Sequence, residues 1–216
     1  MDSRSYEGLH DLHAMLDLLA EGRKASNGTY YVHRGDLQWW LCYNDDVKQL
    51  WKSNIRLWME GDRLIGWSLL SPFDGHAFDV YADPRLRGTA REHEMLAWAV
   101  DQMSAYEYIQ TVWVAEDDNA RIDWLTQNGF APEEDHLILF KRFLSGSVNG
   151  SPLPEGFSTR ASRGEEDAQL RAAASHAAFG STKPFDEYWP RTLRFMQSPV
   201  YVKEHEVFVT APDGQV

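Results

Sequence analysis

Residues 75–105, GHAFDVYADPRLRGTAREHEMLAWAVDQMSA, constrain the fold of this chain more than any other stretch. An alternating strand pattern ends at the Asp83-Pro84 pair, a tight loop containing Gly88 follows, and a helical pattern starts at once from Arg91. Just upstream, IRLWME and RLIGWSLL alternate apolar residues on either side of Gly61-Asp62, the mark of a hairpin closed by a short polar turn. A second hairpin is expected through residues 72–76, PFDGH. Three consecutive antiparallel strands therefore lead into one loop and one helix, whose buried stripe is expected to be Met95, Leu96, Ala99, Val100 and Met103. Such a junction is a place to hold an anion, because the unpaired N–H groups and the dipole of the helix start point outward.

Charge in the loop admits two readings. Arg85, Arg87 and Arg91 surround Gly88, and cations at a helix start are electrostatically misplaced unless an anion lies among them. Glu92 and Glu94 already satisfy the dipole and repel a phosphate, so a plain solvated loop is the alternative. The strand and helix on either side favour the anion. Neither GxGxxG after a strand nor GxxxxGK[ST] occurs, which removes the common nucleotide fingerprints.

Composition sets wider bounds. At 216 residues with 43% hydrophobic and 13% aromatic content, the chain can bury a core in one or two domains. Cys42 is the only cysteine, so no internal disulfide forms, and a reducing, cytoplasmic setting is expected. No basic segment running into an apolar one opens the chain, and no apolar run approaches a membrane span. The net charge of −12 argues against nucleic acid and anionic membrane as partners, and mildly favours a cationic acceptor such as an amine.

Elsewhere, Ser3–Tyr6 reads as a strand, and Leu9, Leu12, Leu16 and Leu19 repeat at helical spacing. His10 and His13 lie one turn apart on that helix, but no further ligand at a recognisable spacing completes a metal site, so solvent-facing histidines are expected. Residues 29–51 are dense in aromatics, with Asp36 expected to cap a helix over Leu37–Cys42; Trp39, Trp40 and Tyr43 serve either core packing, the default, or an acceptor pocket. IQTVWVAEDDN reads as a strand, ARIDWLTQ as a helix stopped at Asn128-Gly129, and HLILFKRFL as a closing strand. SGSVNGSPLP, residues 145–154, is a linker by composition.

In this order of elements, residues 1–144 resemble the GCN5-related N-acetyltransferases (GNAT), on VYADPRLRGTA and on the later strand, Asn119, helix, Gly129-Phe130. The resemblance implies an α/β (α+β) fold with a mixed, mostly antiparallel central sheet flanked by helices. It implies acetyl-CoA as cosubstrate, and transfer of its acetyl group to a small-molecule or peptide amine by direct attack in a ternary complex. Cofactor contacts fall by this resemblance on Val80, Tyr81, Arg85, Arg87, Gly88, Thr89, Ala90 and Asn119. The family loop, Gln/Arg-x-x-Gly-x-Gly/Ala, fits in two registers: from Arg85, with Gly88 and Ala90 on the glycine positions, or from Arg87, with Ala90 and Glu92 there. Many members place an acid tyrosine in the helix before Gly-Phe, where this chain has Leu125; Tyr81 is the substitute, or else a packed strand aromatic. For the base, His76 and Asp79 lie beside the expected cleft, Asp79 otherwise being an edge or hydrogen-bonded aspartate. A metal-dependent hydrolase has only scattered histidines behind it, and a metal site is not expected.

The opening elements recur. GFSTRAS parallels the first strand, GEEDAQLRAAASHAAF the first helix, FDEYWPRTLRFMQ the GDLQWWL segment, and HEVFVTAPDGQV the hairpin, at an offset of about 150 residues. Residues 155–216 thus read as the first half of a second unit, an arrangement similar to mycothiol synthase-like tandem proteins. The natural protein is then expected to continue past Val216, and Val207–Thr210 to be an edge strand prone to pairing, even to a homodimer. The alternative function is a catalytically silent scaffold or CoA-sensing unit whose active partner lies beyond Val216.

Overall fold

The computed structural model describes residues 1–26, 32–43, 53–70, 78–104, 111–134, 138, 140, 145–146 and 150–216. They form two compact units, Met1–Ala131 and Pro132–Val216.

In the first unit, β1 (Asp2–Ser5) and α1 (Leu9–Ala25) are followed by α2 (Arg34–Gln38), which runs into a π-helical turn at Trp39–Tyr43. Then come β2 (Ile55–Glu60), β3 (Arg63–Leu70), β4 (Phe78–Ala82), α3 (Ala90–Met103) and α4 (Asn119–Gln127). The four strands form one antiparallel sheet in the order β1-β2-β3-β4. The expected hairpin is β2–β3: Glu60 faces Arg63 across Gly61, whose φ of +59° is a left-handed conformation that favours glycine.

Strand alternation gives the sheet two working faces. Leu57, Trp67 and Tyr81 are in register on one, and Tyr81 reaches α1 there. On the other, Trp58, Val80 and Ala82 pack on Met95, Leu96, Ala99 and Met103 of α3, and the Ser68 hydroxyl donates to the Met95 carbonyl at 3.1 Å. Two glycines set how close the layers come. A Cβ on Gly22 of α1 would lie 1.8 Å from the Tyr81 hydroxyl, and one on Gly66 of β3 2.7 Å from the Met95 sulfur.

Several expectations need correction. Leu9 is 65% exposed, and the buried stripe of α1 is Leu12, Met15, Leu16 and Leu19, because the helix starts at Leu9 with that residue still turned outward. Asp36 does not cap α2. His33 does, accepting from Gly35 N–H, while Asp36 in the first turn accepts the His33 N–H at 2.6 Å, a reciprocal capping pair. Val100 is only partly buried beside the α3 stripe. Thr111–Ala115 carries no strand; it is largely half-exposed, and a guanidinium, that of Arg121, takes the Val80 carbonyl of β4. Residues 71–77, with the second hairpin and His76, lie outside the described residues, as does most of the expected closing strand at 136–144.

The second unit has β5 (Ser158–Ala161), α5 (Ala168–Ala178), α6 (Phe185–Met196) and β6 (Val207–Thr210), with β5 and β6 antiparallel. Among the described residues its buried apolar side chains are Ala168, Ala172, Tyr188, Met196 and Phe208. Val207 and Val209 of β6 are 59% and 44% exposed.

One arrangement occurs in both units. Arg4 of β1 grips Asp11 of α1 through both guanidinium ends, donates also to the Ser5 carbonyl, and the Asp11 carboxylate accepts the Glu7 N–H at 2.7 Å. In the second unit Arg160 grips Asp167, donates to the Ala161 carbonyl, and Asp167 accepts the Arg163 N–H at 2.7 Å. The strand partners correspond as well: Tyr6 N–H donates to the Ile55 carbonyl and Ser162 N–H to that of Glu206.

Candidate functional site

The loop between β4 and α3 is built by Asp83. Its carboxylate accepts the Arg85 N–H at 3.1 Å, starting a single 3-10 turn at Pro84–Leu86, and receives the guanidinium groups of Arg85 and Arg63 at 2.6 and 2.8 Å. Those bonds, Arg85 foremost, hold the Asp83 carboxyl down to about 2. Arg91 pairs with Glu60 at 2.6 Å on the surface. Two of the three loop arginines are thus committed to carboxylates of the chain.

Gly88 turns the loop with φ +69°. Its N–H donates to the carboxylate of Glu92, in the first turn of α3, at 2.6 Å. The other Glu92 oxygen accepts from Arg121 of α4, and Arg121 also donates to the Val80 carbonyl at 3.2 Å. Glu92 is 0% and Arg121 2% exposed, so this is a buried ion pair. Asp118 caps α4 by accepting the Arg121 N–H at 3.1 Å, which sets the first turn of α4 against the loop; a Cβ on Gly88 would lie 3.1 Å from that of Ala120. The anion at this helix start therefore belongs to the chain itself, and that accounts for a glutamate among arginines.

Asp79 and Tyr81 share the α1 face of β4, with Val80 between them on the α3 face. Asp79 keeps some solvent contact, but burial, reinforced by the nearby negative charge of Asp36, pushes its carboxyl up to about 6, against the pull of Arg121. An acid poised there can accept a proton near neutral pH. Tyr81 is 2% exposed, stacked on Trp67 at 4.7 Å between ring centroids, with its hydroxyl against Gly22. Burial raises its pKa while Arg87 opposes the shift.

The structure thus gathers Val80, Arg85, Arg87, Gly88, Thr89, Ala90 and Asn119 around the β4–α3 loop and the start of α4, with Asp79 and Tyr81 on the adjacent strand. Leu125 is buried in α4. Two residues escaped the sequence reading, Arg121 and Asp36. Arg121 left a trace, since a basic residue in a first helical turn is misplaced without an anion; Asp36 left none beyond its role at the start of α2. Among the described residues no group of three or more His, Cys, Asp or Glu is placed to hold a metal ion, and no helix is long and apolar enough to cross a membrane.

No protein-family model and no curated protein matches the sequence. Solved structures do match. The chain is similar to a GCN5-related N-acetyltransferase from Sphaerobacter thermophilus, with 16% identity and a TM-score of 0.53 over 99% of this chain and 68% of that one. An N-acetyltransferase from Staphylococcus aureus Mu50 aligns with 18% identity and a TM-score of 0.45 over 60% of this chain and 82% of that one. The first likeness is one of fold: this chain has the mixed, antiparallel-sheet architecture of the GCN5-related N-acetyltransferases.

Proposed function

We propose that this protein is an acyl-CoA-dependent N-acetyltransferase, moving an acetyl group from acetyl-CoA to a small-molecule or peptide amine by direct attack in a ternary complex. The observation that carries the reading is the junction of β4, left-handed Gly88 and α3 inside an acetyltransferase fold, with the half-buried Asp79 beside it as the proton acceptor. As folded, the loop does not fit a pyrophosphate, because Glu92 holds the Gly88 N–H and Arg121.

That same pair favours a second reading, in which Met1–Ala131 is a catalytically silent scaffold or ligand-sensing unit and chemistry belongs to another copy of the fold. The repeated arginine–aspartate arrangement supports a partial second copy in the later unit.

Titration of acetyl-CoA into the 216-residue chain, with Arg87→Glu as control, decides between them. Binding that the charge reversal abolishes, together with acetylation of any amine in a screened panel, supports the first reading. An inert chain leaves the second.

A further inference from the structure

The 86–92 segment has the parts of a phosphate cradle. Gly88 is left-handed, its N–H points at an anion, a fourteen-residue helix begins directly behind it, and Arg121, 2% exposed, aims its guanidinium into the same place. The anion there is Glu92.

Helix capping does not account for this arrangement. A glutamate in the first turn commonly reaches back to an N–H ahead of the helix, which needs no further partner. This one is 0% exposed and bonded to an arginine 29 residues further along the chain. Nor does stability account for it, since a buried ion pair is often no better than an apolar pair of the same volume. What the pair does supply is one negative charge at the meeting point of a helix start, a loop N–H and a buried cation.

We infer that Glu92 is an internal competitor of phosphate: its carboxylate occupies, from within the chain, the Gly88 N–H and Arg121 position of this loop, so a phosphate group binds there only by displacing it. Of the neighbouring loop cations, Arg85 is engaged by Asp83 and Arg91 by Glu60. The inference rests on the acetyltransferase reading only for the identity of the displaced group, the pyrophosphate of acetyl-CoA. The competition itself is a property of the loop.

The test is calorimetric titration of inorganic pyrophosphate, at low salt, into the 216-residue chain and into Glu92→Ala, Glu92→Gln and Glu92→Ala/Arg121→Gln. Removing the carboxylate should strengthen pyrophosphate binding by about tenfold or more, an effect weakened by salt, as expected when one like charge is lifted from a poorly screened site. Glu92→Gln, whose amide still fills the loop, should gain less, and the double variant should lose the gain. A folded Glu92→Ala with no gain overturns the inference, and so does an equal gain in the double variant.

Should Glu92→Ala fail to fold, the parent protein and Glu92→Gln still decide. The parent Gly88 amide should exchange slowly without ligand and be unaffected by pyrophosphate at concentrations that slow exchange in Glu92→Gln; slowing in the parent at the same concentrations overturns the idea. Acetyl transfer is read separately. If no amine is acetylated but the variants gain pyrophosphate, the inference stands and the acetyltransferase reading of this unit fails. If amines are acetylated and the variants gain nothing, the reverse holds.

Discussion

Arg4–Asp11 in the first unit and Arg160–Asp167 in the second are the same device: a strand arginine, a carboxylate seven residues on, and a loop N–H four residues before that carboxylate. All its members shift by 156 positions, from Arg4 to Arg160 and from Asp11 to Asp167. The strand across the ladder shifts by 151, from Leu57 opposite Arg4 to Phe208 opposite Arg160, so the later unit has five residues fewer between them. The surroundings then diverge. Strand β2 pairs on both sides, with β1 and β3, whereas among the described residues β6 pairs only with β5. The same local device holds in both units, while the described sheets around it have four strands and two; the device depends on contacts a few residues apart, the sheet on contacts far along the chain.

The largest expected contrast lies at equivalent positions on the strand. Trp58 is 4% exposed against α3, and its counterpart by the 151 shift, Val209, is 44% exposed. Trp58→Ala should cost about 3–5 kcal/mol in chemical denaturation, and Val209→Ala within about 0.5 kcal/mol. A substantial loss at Val209 would mean that something covers β6 in solution. Sedimentation of Val209→Lys then tells whether that cover is a second copy of the chain, for which an edge strand is suited.

The shared device comes next. Asp11→Ala leaves Arg4 and the Glu7 N–H without this acceptor, and Asp167→Ala leaves the side chains of Arg160 and Arg163 and the Arg163 N–H without theirs, roughly a 2–3 kcal/mol loss in each case. Among the described residues the second unit has the smaller buried core and less to spare, so Asp167→Ala should melt that unit while Asp11→Ala only weakens the first, as followed by amide exchange. Equal responses would erase the distinction.

A third contrast concerns α1 and α5. Gly22 admits the Tyr81 hydroxyl, and its counterpart by the 156 shift is Ala178, exposed at the end of α5. Gly22→Ala should destabilise the first unit by about 1–3 kcal/mol through overpacking, partly relieved by Tyr81→Phe. Helix propensity alone predicts the opposite sign.

The smallest effect is one of pH. Arginine bonds hold Asp11 and Asp167 below the usual carboxylate range in the folded state, so the stability they contribute is present above about pH 4 and lost as pH falls through their folded values. Asp79 works in the other direction. Its folded value of about 6 exceeds the unfolded one, so stability declines as pH rises from about 4 to about 6 and is level above. Asp79→Asn should remove that decline, on the order of 1–2 kcal/mol at pH 7, in thermal melts across pH. An unchanged profile would place the Asp79 carboxylate in solvent.

Much of the frame was legible beforehand because it is local. Alternation around Gly61-Asp62 foretold the β2–β3 hairpin, and helical spacing foretold Met95, Leu96, Ala99 and Met103 as the buried face of α3. The site was half legible. Loop, glycine and arginines could be read from residues next to one another, yet their more distant partners could not: Arg91 meets Glu60, 31 positions away, and Arg63 meets Asp83, 20 away.

What the sequence by itself determined is therefore the run of strands, the turn chemistry and the helix that starts at the loop, since each depends on residues within a few positions. What only the tertiary structure decided is which charge fills that loop, which glycine must stay bare, and which carboxyl is pushed up. Glu92 meets Arg121 across 29 positions, Gly22 meets Tyr81 across two layers, and Asp79 feels Asp36 from a separate helix. Energies of this kind follow from distance and exclusion of water, and neither is written in the order of residues.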